Sequence, residues 1–359
     1  MKIAFDSTTL ILTQGGTSVY LNNLVSAMRK IAPGNEYSYF STGTVRRQKI
    51  QVLRQISTLY RELIWQQFIL PVSANKKKVD VLHCPAHLAP LYSKVPKVVT
   101  FHDIYILKDQ KSFRYWQSTF AEFIYPKIIS SNCKIIAISF FTKNELINKF
   151  KIADNKIDVV HLGVESRFRV INDDLKLSRI KRKYDLPNQF ILYVGAIEPR
   201  KNLFRLIEAL SLKGNKLPLV IVSSGGWKNE ILLNNIQDKR NNISLLQNIS
   251  DEELPYIYNL ASLFVSPSLY EGFGLPLLEA MACGCPIVVS NCSAHLEITN
   301  GLAEYFDPTK IEDIAAKINT TINSTEKLQS LKIKGLENAQ LFSWEKCAQS
   351  TLEVYKSML

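Results

Sequence analysis

The sequence lacks any apolar run approaching the ~18 residues of a membrane span, so no segment reads as transmembrane. It also lacks the pattern of a secretory leader. Asp6 interrupts Met-Lys-Ile-Ala-Phe before an apolar core region develops, and we therefore expect a cytoplasmic protein. No short internal repeat and no low-complexity tract is present. Histidine and cysteine are sparse, and the six cysteines, Cys84, Cys133, Cys283, Cys285, Cys292 and Cys347, are expected to be reduced. Cys283, Cys285, Cys292 and His295 do not have the spacing of a usual zinc motif. Three of them flank the apolar strand 286–290, where cysteine serves as a small hydrophobe, so no metal is expected. There is no zinc finger, basic zipper or RNA-recognition signature, which argues against a nucleic-acid partner.

What is there suits a soluble globular chain. Of 359 residues, 46% are hydrophobic and 21% charged, enough for two domains with separate cores. The net charge of +12 is unevenly placed. Residues 1–165 hold 22 lysines and arginines against 11 aspartates and glutamates; residues 166–359 hold 22 against 21. A basic half beside a neutral half points to an acidic partner for the first half, such as anionic lipid or a phosphorylated acceptor.

Short apolar runs alternate with helical periodicity along the chain. Strands are expected at 2–5, 37–41, 79–83, 97–101, 134–138 and 157–162. After a polar stretch they resume at 190–194, 217–222, 243–246, 263–265 and 286–290. Helices are expected near 18–31, 46–70, 113–130, 139–150, 203–212, 251–260, 311–322, 325–339 and 344–358, with 75–78 a basic loop and Ser250 a cap. This alternation predicts an α/β protein of two Rossmann-like domains with parallel sheets. The 46–70 helix is basic and aromatic. It reads either as a surface leaning on an anionic membrane or as a core-packed helix with a solvated basic face.

Several loops could carry chemistry. Gly15 and Gly16 lie between a strand and a helix, where backbone can approach a phosphate or hydroxyl. The strand 98–101 delivers His102 and Asp103 at its C-terminal end, where open α/β sheets bind ligands; His83, His87 and His161 are read as structural. Arg200 and Lys201 follow a second buried strand. In 266–290, Glu271 precedes a helix, Glu279 sits inside it, and Gly272 and Gly274 permit a tight turn before Pro276. A carboxylate in the apolar run Leu-Pro-Leu-Leu-Glu-Ala-Met-Ala is costly without a partner.

Taken in order, these motifs resemble the family four retaining glycosyltransferases. E-G-F-G-L-P-L-L-E at 271–279 is similar to the family's E-x7-E signature, and G-A-I-E-P-R-K-N at 195–202 to its diphosphate loop. F-H-D, Q-G-G-T, H-L-G-V and F-S-W-E-K complete an ordered set along the chain. The resemblance implies the GT-B arrangement: an acceptor-side domain at 1–165, a linker with a lead-in helix at 166–186, a nucleotide-sugar domain at 187–343, and a terminal helix at 344–359 returning to the first domain. It implies that Arg200 and Lys201 contact the donor diphosphate and that Glu279 holds the ribose hydroxyls. Glu271 would contact the transferred sugar, with Phe273, Gly274 and Leu275 offering backbone N–H groups. His102 would lie near the reacting carbon, and Gly15 and Gly16 would border phosphates and acceptor. Gly225, Asn248 and Ile249 would border the nucleotide. Ala294-His295-Leu296-Glu297 departs from the family's usual Leu-Pro-Glu, so the helix there is expected to start differently.

The expected reaction is hexosyl transfer with retention, without metal or cofactor. Arg200, Lys201 and the helix start stabilise the leaving diphosphate, and the leaving phosphate takes the acceptor proton. The motif forms look most like bacterial mannosyltransferases of surface-polysaccharide or lipopolysaccharide synthesis. That favours GDP-mannose as donor, with a UDP-hexose or a non-catalytic nucleotide- or glycan-binding member as alternatives. The acceptor is expected to be a glycan or lipid-linked saccharide, and the protein to be peripheral on the inner face of the cytoplasmic membrane. The two domains are expected to close over the donor.

Overall fold

The computed structural model describes residues 1–8, 10, 15–42, 60–113, 115–212, 217–223, 242–292 and 294–359. The chain divides into two compact units, Met1–Gly163 with Ser343–Leu359, and Val164–Phe342. Each is a parallel sheet flanked by helices.

The first unit holds β1 (Lys2–Asp6), β2 (Glu36–Phe40), β3 (Val81–Cys84), β4 (Lys97–Phe101), β5 (Lys134–Ala137) and β6 (Ile157–Val159), in the order β2-β1-β3-β4-β5-β6. All neighbours pair in parallel. Strands covered on both faces need unbroken apolar runs, and Val98, Val99 and Phe101 of β4 are fully buried. Helix α1 (Gly16–Ile31) turns Tyr20, Leu21, Leu24, Val25 and Met28 inward at helical spacing. Ser139 starts the helix Phe140–Phe150 by accepting from the Thr142 N–H at 3.0 Å.

The expected 46–70 helix lies partly outside the described residues. From Tyr60 to Ile69 the chain is π-helical, and an α-helix continues over Leu70–Lys76 with Pro71 in its first turn. Residues 75 and 76, read as loop from sequence, therefore end that helix. Proline at a first helical turn starts a new helix rather than breaking one.

The terminal helix, Trp344–Lys356, belongs to this first unit. Ser343 caps it, accepting from Lys346 N–H at 3.1 Å. Trp344 stands 6.3 Å from the Tyr20 ring, and Tyr355 shares a 2.5 Å hydrogen bond with His83 Nδ1. Gly163 makes the crossing possible. A Cβ there would lie 2.2 Å from the Trp344 backbone nitrogen, so only glycine fits.

The second unit holds β7 (Ile191–Val194), β8 (Leu219–Val222), β9 (Ile243–Leu246), β10 (Leu263–Ser266), β11 (Ile287–Ser290) and β12 (Glu304–Phe306). Their order is β12-β11-β10-β7-β8-β9. The order reverses between β7 and β10, which leaves a crevice beyond their C-terminal ends. Its core joins Ile191, Tyr193, Leu206, Ile221, Val265, Val288 and Ile314.

Residues 166–186, expected to carry the domain boundary and a lead-in helix, lie inside this unit, which begins at Val164. They carry the helix Asp174–Lys183, capped by Asp173, and Tyr184 donates to Glu253 at 2.7 Å. The helix expected from 251 starts at Leu254, with Pro255 in its first turn; residues 251–253 are a preceding turn. The stretch lacking the family's proline forms a short helix, His295–Ile298.

Candidate active site

Two loops meet at the switch point of the second sheet. One leaves β7 and carries Arg200 and Lys201 in a short 3-10 turn, Pro199–Lys201. The other leaves β10 and carries Glu271. Lys201 Nζ lies 2.6 Å from Glu271 Oε1, and Arg200 Nη1 lies 3.3 Å from Oε2. Arg200 Nε also reaches Glu198 at 3.0 Å. Ser268 donates to Glu271 Oε1 at 2.7 Å, and Leu269 N–H donates to the Arg200 carbonyl at 2.7 Å. Burial alone would raise the Glu271 pKa, but the charges of Lys201 and Arg200 hold it at about 2. Glu271 is therefore a carboxylate and not a proton donor at neutral pH. Two cations and two carboxylates share one crevice with no net charge, so a diphosphate entering it must compete with Glu198 and Glu271 for the cations.

Asn202 bolts the two loops together, a role its place in the motif did not reveal. Its backbone is left-handed at φ 57°, a conformation asparagine tolerates better than most residues. Its side-chain amide donates to Pro267 O at 3.0 Å and Pro308 O at 2.8 Å.

Past Glu271 the chain turns at Gly274, whose φ of 108° disfavours any side chain. The helix α2 follows over Leu275–Ala282, with Pro276 in its first turn. The leading N–H groups of such a helix have no intrahelical partner, and Leu275 begins that set. Phe273 is buried with its ring edge-on to Phe342 at 6.0 Å. Beneath Gly274 lies buried His295, within 3.5 Å of where a Cβ would stand. Ser290 Oγ donates to the Ser268 carbonyl at 2.7 Å, so His295 Nδ1–H donates to Ser290 Oγ at 2.9 Å. The chain Ser268–Ser290–His295 fixes the floor under Glu271 and the glycine turn, and burial lowers the His295 pKa. Read as a cysteine-rich neighbourhood, this segment gave no sign of that role.

Glu279, on the same helix, has a separate partner. Tyr258 donates to its Oε2 at 2.9 Å. Burial raises the Glu279 pKa to about 7, although the Tyr258 hydrogen bond opposes the rise. The two glutamates of the signature are thus held differently, one as a locked anion and one near its titration point. Cys283 and Cys285 behind them are buried, and burial pushes the Cys283 thiol up to about 12.

Asn248 has a left-handed backbone at φ 56° and is exposed, with half-buried Ile249 after it. Gly225 lies outside the described residues.

In the first unit, His102 follows β4. Its Nε2–H donates to the Pro85 carbonyl at 2.8 Å, and Tyr20 stands edge-on at 5.1 Å. Burial lowers its pKa to about 4, so the ring is neutral with Nδ1 as the remaining acceptor. Tyr20 OH and His83 Nε2 both meet Thr100 Oγ1, at 3.1 and 2.8 Å, which ties His102 into the sheet. Gly15 is the residue before α1, and a Cβ at Gly15 or Gly16 would touch nothing within 4 Å. Packing of the described residues does not require glycine at either position.

The family described as Glycosyltransferase Family 4 matches residues 14–168, and Glycosyl transferases group 1 matches residues 176–337. The O-antigen chain mannosyltransferase B of Escherichia coli is 32% identical over 266 residues, covering 72% of this chain and 70% of that protein. The chain belongs to the family 4 glycosyltransferases. The serotype-specific mannosyltransferase WbdA of Escherichia coli is a longer protein. It is 32% identical to this glycosyltransferase over 234 residues, 63% of this chain and 29% of that one. HepE of Anabaena, solved in complex with UDP-glucose, superposes at a TM-score of 0.76 with 18% identity, covering 99% of this chain and all of that one. This glycosyltransferase therefore has the GT-B fold. Among its described residues, no helix is long and apolar enough to cross a membrane.

Proposed function

We propose that this glycosyltransferase moves mannose from GDP-mannose to a saccharide hydroxyl during assembly of a bacterial surface polysaccharide, with retention of configuration. The observation that carries the reading is the convergence of Arg200, Lys201 and Glu271 at the switch point of the second sheet. Its likeness to the O-antigen chain mannosyltransferase supports the choice of sugar. Arg200 and Lys201 take the donor diphosphate, and Glu271 trades one of their contacts for the transferred sugar. Glu279 accepts from the ribose hydroxyls, and the N–H groups of Phe273, Gly274 and Leu275 face the phosphates. Asn248 and Ile249 border the nucleotide, while Gly15 and Gly16 border the phosphates and acceptor. His102 offers Nδ1 to a hydroxyl of the transferred sugar.

In the reaction the bond from the anomeric carbon to the phosphate oxygen breaks, and a bond to the acceptor oxygen forms on the same face. The acceptor proton passes to the departing phosphate oxygen. The cations stabilise the negative charge that develops there, and no resident metal or cofactor is invoked. A panel of GDP-mannose, GDP-fucose, UDP-glucose and UDP-galactose tests the reading. Turnover with GDP-mannose is expected; turnover with UDP-hexoses alone refutes the donor, and none with any donor refutes the activity.

We also propose a cytoplasmic protein that rests on anionic lipid. Leu63, Ile64, Phe68 and Val72 are exposed along the helical segment Tyr60–Lys76, which runs into Lys77 and Lys78. An apolar stripe beside a lysine cluster suits an acidic interface. Flotation with phosphatidylglycerol vesicles is expected at low salt and is lost on Phe68→Ser; no binding at low salt refutes it.

A further inference from the structure

The motif H-L-G-V at 161–164 leads into a turn that the donor reading leaves unused. Phe168 N–H donates to the Glu165 carbonyl at 2.9 Å and closes it. In this turn Arg167 Nη2 lies 2.7 Å from Glu165 Oε1, and Nη1 lies 3.8 Å from Asp251 Oδ2. The guanidinium carbon stands 5.3 Å from the centre of the Phe168 ring, within cation–π range. Arginine suits this place because its planar fork meets a carboxylate while its face lies on a ring.

The turn is fixed to the helix Leu254–Leu260, which carries the partner of Glu279. Phe168 is buried, with its ring edge-on to Tyr258 at 5.9 Å. Asn259 donates to the Arg169 carbonyl at 2.9 Å and accepts from Ile171 N–H at 2.8 Å. Tyr258 in turn donates to Glu279 Oε2 at 2.9 Å. Arg167, Phe168, Tyr258 and Glu279 therefore form a continuous row of side chains within the second unit.

Glu279 sits in a field of mixed sign. Burial opposes its ionisation most strongly, and the carboxylates Glu165 and Asp251 add to that; the Tyr258 hydrogen bond and the Arg167 charge act the other way. Cys283, at the end of the same helix, is a thiol kept neutral by burial. Asp251 is exposed, so solvent screens it, whereas Glu165 is half-buried and screened less. Arg167 is the cation that pairs with both. Without it, two acidic side chains stand uncompensated near a third.

We propose that Arg167 is a positioning residue for the donor: clamped by Glu165 and Asp251 and laid on Phe168, it screens their charge from Glu279 and keeps that carboxylate ready to accept hydroxyl donors. That the hydroxyls are those of the ribose rests on the function proposed above; the electrostatic hold of Arg167 on Glu279 does not.

The test reads Glu279 directly. Protein labelled with ¹³Cδ-glutamate is titrated without ligand, and Glu279→Gln assigns the relevant signal. Arg167→Met keeps an apolar stem over Phe168 but removes the charge, and is expected to raise the Glu279 midpoint by about one pH unit. Arg167→Lys, which keeps the charge, is expected to return it close to the parent value. Glu165→Gln is expected to lower it, and this variant decides the matter if Arg167→Met does not fold. GDP affinity by calorimetry is the second readout: Arg167→Met is expected to weaken it about three- to fivefold at pH 7 and little at pH 9, as follows from the ionised fraction of Glu279. An unmoved Glu279 midpoint in Arg167→Met, or in Glu165→Gln where that variant must decide, overturns the proposal, even if GDP affinity still rises through pH 7 and the ribose reading stands. A moved midpoint with GDP affinity unchanged supports the hold of Arg167 on Glu279 and removes only the ribose contact.

Discussion

Lys201 Nζ lies 2.6 Å from Glu271 Oε1, joining loops whose residues are 70 positions apart in sequence. This pair sits at the reversal of strand order, with Asn202 holding the loop that carries Lys201 against Pro267. Glu271 is therefore positioned by the same cations that are assigned to the diphosphate.

The pair can be separated by mutation. Lys201→Met leaves Glu271 with Arg200 and Ser268 but removes its shortest charged contact, and should cost about 3 kcal/mol in denaturant unfolding. Adding Glu271→Gln should restore most of that stability. Activity should not return, because the loss of a cation at the leaving group is expected to cost about 10²–10³ in kcat. A double variant that is both stable and active would remove Lys201 from the chemistry.

Nucleotide affinity should depend on Glu279. With its pKa near 7, the acid is largely protonated at pH 6 and ionised at pH 8. Ribose hydroxyls donate better to a carboxylate, so GDP affinity measured by calorimetry should rise through pH 7. Glu279→Gln should flatten the profile. Tyr258→Phe removes the 2.9 Å donor that favours the ionised form and should move the midpoint upward. A midpoint unchanged in Tyr258→Phe would show that the tyrosine does not tune Glu279.

The buried histidines set a second pH dependence, in stability. Burial depresses the folded-state pKa of His83 to about 3 and of His102 to about 4. The unfolded chain, with histidines near 6.5, then binds more protons than the folded one at mildly acidic pH. Stability is present above pH 6.5 and is lost as pH falls toward 4, by up to about 1.4 kcal/mol per pH unit for each histidine. Unfolding between pH 7 and 4.5 should show this slope, and His83→Gln should reduce it. An identical slope in that variant would assign the acid sensitivity elsewhere.

Gly163→Ala should destabilise the first unit by about 1–3 kcal/mol, because the new Cβ meets the Trp344 backbone and not a movable side chain. Gly34→Ala is the control, since a Cβ there meets nothing within 4 Å. Equal melting temperatures for the two variants would contradict the close approach at Gly163.

The alternation of strands and helices was legible in the sequence because parallel strands buried on both faces must be apolar throughout, as Val98–Val99 and Ile287–Val289 are. The loops that carry chemistry were legible for a related reason: glycine, proline and charge stand out after such runs. Pairing was not. No local pattern states that Asn202 reaches Pro267 and Pro308, that Tyr258 meets Glu279, or that His295 underlies Gly274. Nor does it separate His87, which lines a cavity, from His83, which is sealed between Thr100 and Tyr355. Residues 166–186 read as a boundary with a lead-in helix because they are polar and periodic; the helix Asp174–Lys183 is there, and its place in the second unit follows from Tyr184 bonding to Glu253. By itself the sequence determined the element types and the residues with chemical potential, through local periodicity and composition. The tertiary structure decided which of them meet, because those contacts depend on strand order, and strand order is set by long-range packing.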